Sequence, residues 1–247
     1  MTYNPFNLEG KNIFVTGASS GIGRSIAIEC SKMGATMFLT GRNEERLSET
    51  LQMLEGKNHS ILVGDLVVEE DISRIVMELP TLDGIVFSAG VNDKSLIKHL
   101  NSEKLQKVMG INFTSPALTL AELSKKKKLK SGSSIVMISS ISSTYATVSN
   151  IMYAASKGAL ESMIRVSALE LSSRKIRVNG IRPGLVDTSI PNKYPLKDCL
   201  DDFCKQIPLG RIAKPEDIAY GAVYVLSDSS SWMTGNILTI DGGITLR

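Results

Sequence analysis

The sequence predicts a single doubly wound α/β domain, a seven-stranded parallel sheet with helices on both faces. Short β-branched runs alternate with longer amphipathic stretches along the chain, which is the pattern of strand–helix repetition. Several of the strand runs are continuously apolar, as Ile135-Val136-Met137-Ile138 is, and strands of that kind are buried on both faces. No Pro/Gly-rich linker and no internal repeat divides residues 1–247, so one domain is expected.

The first strand is expected at Asn12–Thr16 and the first helix at Ile22–Met33, joined by Thr16-Gly17-Ala18-Ser19-Ser20-Gly21-Ile22-Gly23. Gly17 permits a tight exit from the strand, Gly21 lets backbone approach a pyrophosphate, and Gly23 allows close helix–sheet packing. The N–H groups and positive dipole at the following helix N-terminus suit phosphate. Placed between first strand and first helix, the motif points to dinucleotide binding through Gly17, Ser19, Ser20, Gly21, Ile22 and Gly23.

The second strand (Thr36–Thr40) ends in Gly41-Arg42-Asn43, with no acidic residue to accept from a ribose 2′-hydroxyl. Arg42 suits a 2′-phosphate through charge-assisted bonds, so NADP(H) is expected in preference to NAD(H). A helix follows at Glu44–Glu55, and the third strand (Ser60–Gly64) leads to Asp65 and Leu66, where Asp65 either accepts from an adenine amino group or caps the helix at Glu70–Met77. The fourth strand (Gly84–Ser88) opens into Ser88-Ala89-Gly90.

A long helix is expected over Ser102–Leu123, with Asn112 in its middle, where asparagine is a mediocre helix former and needs a reason such as a bound water. The fifth strand (Ser134–Ser139) ends at Ser140, whose hydroxyl suits a substrate carbonyl. The next helix (Tyr153–Ser172) opens with Tyr153-Ala154-Ala155-Ser156-Lys157, and positions four apart share a helix face. The Lys157 ammonium, the positive charge of an oxidised nicotinamide and partial burial are together expected to favour the Tyr153 phenolate, so that Tyr153 becomes the acid/base. The sixth strand (Arg177–Ile181) runs into Pro183-Gly184-Leu185-Val186-Asp187-Thr188. An irregular stretch at 189–206 reads as a substrate lid, with Tyr145, Ile151, Ile190 and Tyr194 as candidate pocket residues. A helix at Pro215–Ser227 and a seventh strand at Ile237–Ile240 complete the pattern.

These motifs resemble the short-chain dehydrogenase/reductase family, which spaces its glycines as GxxxGxG after a Thr and orders an Asn, a Ser, a Tyr and a Lys as Asn112, Ser140, Tyr153 and Lys157 stand here. The resemblance runs from about Leu8 to Gly243. It implies a Rossmann-type fold and an NADP(H)-dependent oxidoreductase interconverting a carbonyl and a secondary alcohol. Tyr153 is then the acid/base and Ser140 orients the carbonyl. Lys157 holds the nicotinamide ribose and tunes Tyr153, while Asn112 anchors a relay water. By the same resemblance Asp65 accepts from adenine, Pro183 and Gly184 form the nicotinamide turn, Val186 binds the carboxamide and Thr188 contacts amide or pyrophosphate. Ser88 departs from the family's usual Asn-Ala-Gly. The tail, Ile207-Pro208-Leu209-Gly210-Arg211 through Trp232-Met233-Thr234-Gly235 to Asp241-Gly242-Gly243, is similar to the bacterial 3-oxoacyl-[acyl-carrier-protein] reductase branch. That branch implies an acyl-carrier protein as partner, docked on basic residues such as Lys130 and Arg174, and a homotetramer. Sugar, polyol and hydroxysteroid dehydrogenases share the tail. A non-catalytic NADP-binding sensor and a scaffold protein are the readings from other classes.

The bulk numbers agree with an ordinary enzyme: 43% hydrophobic, 21% charged, and a net charge of +3 too small and dispersed to argue for nucleic acid. The run Lys125–Lys130 reads as a solvated helix C-terminus or as a patch for an acidic partner. Met1–Lys11 lacks an apolar h-region, and no stretch approaches the roughly 20 apolar residues of a membrane span. Cys30, Cys199 and Cys204 fit reduced thiols in a cytoplasmic compartment, and with His59 and His99 far apart no metal site is expected.

Overall fold

The computed structural model describes residues 3–188 and 204–246. The segment expected as a lid therefore lies largely outside the described residues, as do Ile190, Tyr194 and Cys199. Seven strands form one parallel sheet in the order β3-β2-β1-β4-β5-β6-β7: β1 (Asn12–Thr16), β2 (Thr36–Gly41), β3 (Ser60–Val63), β4 (Leu82–Phe87), β5 (Leu129–Ile138), β6 (Arg177–Pro183) and β7 (Ile237–Ile240). The chain builds outward from β1 to β3 and then returns to β4 on the other side of β1. Order reverses there, and the carboxyl ends of β1 and β4 open a crevice, where open α/β sheets bind ligands.

Alternation within the strands feeds two cores. Ile13 and Val15 join Ile26, Ala27, Ile218 and Ala222 on the face covered by α1 (Gly21–Lys32) and the last helix, α7 (Pro215–Leu226). Phe14, between them in sequence, joins Ile85, Ile135, Leu123, Leu160 and Ile164 on the opposite face. That face is covered by α3 (Glu69–Glu78), α5 (Ser115–Lys125) and α6 (Ile151–Leu171); α2 (Glu44–Gln52) flanks β2 and β3. Burying each such side chain contributes about 1.5–3 kcal/mol against exposure.

Two elements differ from the expectation. β5 begins at Leu129 rather than Ser134, because Leu129 pairs with Leu82 before the register shifts between Leu82 and Gly84. Gly132 sits in the shifted stretch at φ +83°, so Lys130-Ser131-Gly132-Ser133 reads as a turn by composition while it is a bulge in a strand. The expected helix over Ser102–Leu123 is also broken. α4 (Ser102–Met109) gives way to a π turn at Gly110–Thr114, after which α5 resumes. The Ser115 N–H donates to the Gly110 carbonyl across the widened turn, and Asn112 lies inside it.

Candidate active site

The glycine turn leaves β1 with Gly17 at φ +66° and reaches Gly21 at φ +54°, a region that L side chains rarely adopt. Crowding is as decisive as dihedral angle. A Cβ on Gly17 would lie 2.7 Å from the Ala89 Cα, and one on Gly23 would lie 2.4 Å from the Gly17 carbonyl and 3.2 Å from the Ser88 hydroxyl oxygen. A Cβ on Gly21 would meet the Thr188 methyl at 3.1 Å. The expected Ser88, Ala89 and Thr188 thus converge on the turn from two other strands. Ser20 caps α1 without a side-chain hydrogen bond and no acidic residue lies in the first turn, whereas α3 opens with Glu69, Glu70 and Asp71. The α1 N-terminus is therefore electrostatically open to an anion. Ile22 packs against the core, and Ser19 gives its carbonyl to Arg24 (2.7 Å), which also bonds Glu49 and Thr50. Arg24 was not anticipated from the sequence. It ties the turn to α2.

Beyond the turn, Arg42 is exposed and stands 3.7 Å from the Asp65 carboxylate, so the two residues expected at the adenosine end are neighbours. Asp65 also accepts from the Val67 N–H (3.2 Å) in a local turn ahead of α3, whose N-cap is Val68 and not Asp65, while its other oxygen faces Arg42. The Leu66 side chain is in the core. On β1, the Thr16 hydroxyl accepts from the N–H groups of Ser88 (3.1 Å) and Ala89 (3.3 Å), holding the β4 exit beside the turn.

The side chains expected to react meet at the carboxyl ends of β4 and β5. Tyr153 and Lys157 occupy successive turns of α6, with the Lys157 Nζ 5.6 Å from the phenol ring centre. Lys157 is buried and donates to the Ile138 carbonyl (2.7 Å). Ser140, just past β5, lies beside the Tyr153 hydroxyl, near enough to influence its ionisation, and accepts from the Ser142 N–H (3.2 Å). A Cβ on Gly90 would lie 3.5 Å from the Lys157 Nζ and 3.4 Å from the Asn112 amide oxygen, so the β4 exit borders both.

The electrostatics correct one expectation. Burial pushes the Tyr153 phenol above its usual value, because a desolvated phenolate is disfavoured, and the neighbouring Ser140 hydroxyl only opposes that rise. Burial of the Lys157 ammonium brings it down to about 8. In the free protein burial therefore raises the phenol, and it does not belong among the influences that favour the phenolate.

The Asn112 amide accepts from the Val91 N–H (2.8 Å) and donates to the Val91 carbonyl and the Ser156 hydroxyl (both 2.9 Å), so both of its N–H groups are engaged by protein. The side chain ties the π turn to the β4 exit and α6, and its amide oxygen keeps one further acceptor position. On β6, Gly184 donates to the Ile240 carbonyl (2.9 Å) and packs so closely that a Cβ would lie 2.8 Å from the Asp241 Cα. Pro183 ends the strand, buried, and the Val186 carbonyl accepts from Thr188 (2.8 Å).

Sequence reasoning missed Glu161, one further turn along the face of α6 that carries Tyr153 and Lys157. Buried at 3% exposure, it accepts from the Ser139 (2.8 Å) and Ser143 (2.6 Å) hydroxyls and from Arg182 in bidentate fashion (2.9 and 2.7 Å). An acidic residue continuing the i, i+4 spacing was its signal. The lysine run lies elsewhere. Lys130 pairs with Asp83 (2.8 Å), Lys125 and Lys126 flank Glu122, Lys128 bonds the Met77 and Leu79 carbonyls, and Arg174 bonds the Leu129 carbonyl. Lys130 and Arg174 stand at the amino ends of β5 and β6, away from Tyr153.

A family model described as enoyl-(acyl carrier protein) reductase matches residues 17–245. A 3-oxoacyl-[acyl-carrier-protein] reductase of Rickettsia prowazekii is 32% identical over 240 residues, 97% of this chain and 99% of that protein. A short-chain type dehydrogenase/reductase from Mycobacterium marinum superposes with a TM-score of 0.89 at 28% identity, covering 98% of each chain. The chain belongs to the short-chain dehydrogenase/reductase family. As a short-chain dehydrogenase/reductase it is an NAD(P)-dependent oxidoreductase acting on CH–OH groups. Its relatives include a glucose 1-dehydrogenase of Gluconobacter oxydans, 33% identical over 96% of this chain and 92% of that one. A protein of Agrobacterium tumefaciens, proposed to be a 2-deoxy-D-gluconate 3-dehydrogenase and solved with bound NADP, superposes with a TM-score of 0.88 at 27% identity, covering 99% of this chain and all of that one. The cradle fits a nicotinamide dinucleotide: a Cβ would collide at positions 17 and 23 and be crowded at 21, above an uncapped helix N-terminus free of carboxylates.

Proposed function

We propose that this enzyme is a cytoplasmic NADP(H)-dependent reductase of 3-oxoacyl thioesters, carried by acyl-carrier protein, with Tyr153 as its proton donor. The observation that carries this reading is the meeting of Ser140, Tyr153 and Lys157 beside Gly90 at the crevice where strand order reverses. Gly17, Ser19, Ser20, Gly21, Ile22 and Gly23 would hold the pyrophosphate, Arg42 the 2′-phosphate, and Asp65 and Leu66 the adenine. Ser88, Ala89 and Gly90 would border the central ribose, Tyr153 and Lys157 the nicotinamide ribose, and Pro183, Gly184, Val186 and Thr188 the carboxamide end. The bound nicotinamide supplies or accepts the hydride.

Everything else falls to the chain's own groups. Ser140 donates a hydrogen bond to the substrate carbonyl oxygen and fixes it beside Tyr153. The Tyr153 hydroxyl gives its proton to that oxygen as negative charge develops, and takes it back in alcohol oxidation. Burial that raises the phenol keeps it protonated at neutral pH, which suits reduction. The Lys157 ammonium stabilises the tyrosinate left behind, and a water held by backbone at the π turn around Asn112 returns the proton. Exposed apolar residues on α5 and α6, Leu118, Val166 and Leu169, and the fully exposed Trp232 support a homotetramer.

A second reading, oxidation of a sugar or polyol, is favoured by the glucose 1-dehydrogenase relative. The test is absorbance at the nicotinamide band with NADPH or NADH and a short 3-oxoacyl thioester, run beside NADP+ with glucose and gluconate. NADPH consumption with the thioester supports the proposal. Turnover of the sugars alone transfers it to the second reading.

A further inference from the structure

Three side chains of α6 reach the end of β5 at three consecutive residues. Tyr153 meets Ser140, Lys157 meets the Ile138 carbonyl, and Glu161 meets the Ser139 hydroxyl. Residues 153, 157 and 161 lie one turn apart, so the contacts form a ladder of about 12 Å at 1.5 Å per residue. Ser143 adds a rung: its hydroxyl lies 2.8 Å from the Ser140 carbonyl and 2.6 Å from the Glu161 carboxylate. Glu161 therefore grips the segment carrying Ser140 from both sides, at Ser139 and at Ser143.

The same carboxylate reaches a second strand end, that of β6. Arg182 holds it in bidentate fashion, and Arg182 immediately precedes Pro183-Gly184, the turn expected at the nicotinamide. Its guanidinium also touches the Thr239 hydroxyl on β7 (3.4 Å). Arg165, one turn along α6, stands 4.0 Å from the outer carboxylate oxygen. Acceptors and donors thus match around a side chain with 4% of its surface exposed. Two apolar residues would fill such a site at less desolvation cost than a buried ion pair, so stability alone is a weak reason for it.

We propose that Glu161 is a positioning residue for the proton-transfer site, fixing Ser140 and the Pro183-Gly184 turn onto the α6 face that bears Tyr153 and Lys157. It touches neither substrate nor cofactor. It acts by holding two separate strand ends and one helix in a single register, and this role rests on the reading of Tyr153 and Ser140 given above.

The sharpest test cuts the tethers and keeps the ion pair: the double variant Ser139→Ala/Ser143→Ala, compared with Glu161→Gln. The expected result is a kcat about tenfold lower in the double variant, with NADPH affinity within about threefold of wild type, as misplacement near the chemistry affects turnover more than binding. Amide hydrogen exchange over residues 140–150 should quicken by about an order of magnitude without change in the β1–β3 half. Glu161→Gln, which leaves Arg182 without its charge partner, should lower kcat further. Wild-type kcat and wild-type exchange in the folded double variant overturn the proposal, whatever Glu161→Gln does. If the wild-type protein reduces no carbonyl compound, exchange over residues 140–150 still decides whether Glu161 orders that segment, and the failure belongs to the catalytic reading.

Discussion

The two halves of the sheet build one site by opposite means. On the β1–β3 side the site is made by leaving atoms out: glycines where a Cβ would strike backbone, a helix start without a cap, and a strand end without a carboxylate. On the β5–β6 side it is made by packing ionisable and hydroxyl groups together: Ser139, Ser140, Lys157 and Glu161 are all buried, and Tyr153 beside them is partly so. The first half should fail when atoms are added, the second when they are removed or their charge is changed.

The largest effect is expected from an addition. Gly23→Ala puts a methyl 2.4 Å from the Gly17 carbonyl, so the turn must shift. NADPH affinity, followed by fluorescence titration, should fall by about 100-fold, together with the 1–3 kcal/mol of stability typical of overpacking. Wild-type binding in this variant would break the contrast at its first half.

A removal on the other side comes next. Lys157→Met should lower kcat by about 100-fold or more, since general-acid assistance depends on its charge. Stability should move the other way. The folded pKa near 8 lies below the ordinary 10.5, so the buried ammonium opposes folding below pH 8 and that opposition fades as pH rises from 8 to 10.5. Wild type should therefore gain stability relative to Lys157→Met across that window, by an amount on the order of 3 kcal/mol. Thermal unfolding of both proteins at pH 7 and pH 10 checks the sign. Wild-type reduction should decline above about pH 8 as Lys157 loses its proton.

Arg42→Ala sharpens the comparison within the first half, where a side chain rather than a space selects the cofactor. Losing a charge-assisted bond worth about 1.5–3 kcal/mol should raise KM for NADPH roughly 10- to 100-fold and leave NADH nearly unchanged. Equal losses for both cofactors would remove Arg42 from the 2′-phosphate. The smallest effect belongs to Lys130→Ala: its pair with Asp83 is partly exposed, so stability should change by less than about 1 kcal/mol, with kcat for a free thioester unchanged.

What was legible in the sequence follows the same division. Glycine positions, the missing acid after β2 and the alternation that sets the strands are local properties, and they read correctly. The order of Asn112, Ser140, Tyr153 and Lys157 was equally plain. Environment was not. The phenol's rise comes from burial by segments distant in sequence, which the spacing of Tyr153 and Lys157 does not encode. The π turn arises because Asn112 must reach Val91, a contact no helical periodicity encodes. A glutamate on a helix is ordinarily exposed, and only Arg182 arriving from β6 makes the burial of Glu161 tolerable. The amino half of β5 was hidden by composition, since Lys130-Ser131-Gly132-Ser133 has the residues of a turn.

The central claim is that Tyr153 moves the proton while the rest of the site binds and orients. Steady-state NADPH oxidation with a 3-oxoacyl thioester, by wild type and Tyr153→Phe, tests it most directly. The account predicts a kcat reduced at least 100-fold with NADPH affinity within about twofold of wild type, since only a hydroxyl group is lost. A Tyr153→Phe enzyme that turns over at the wild-type rate would contradict it.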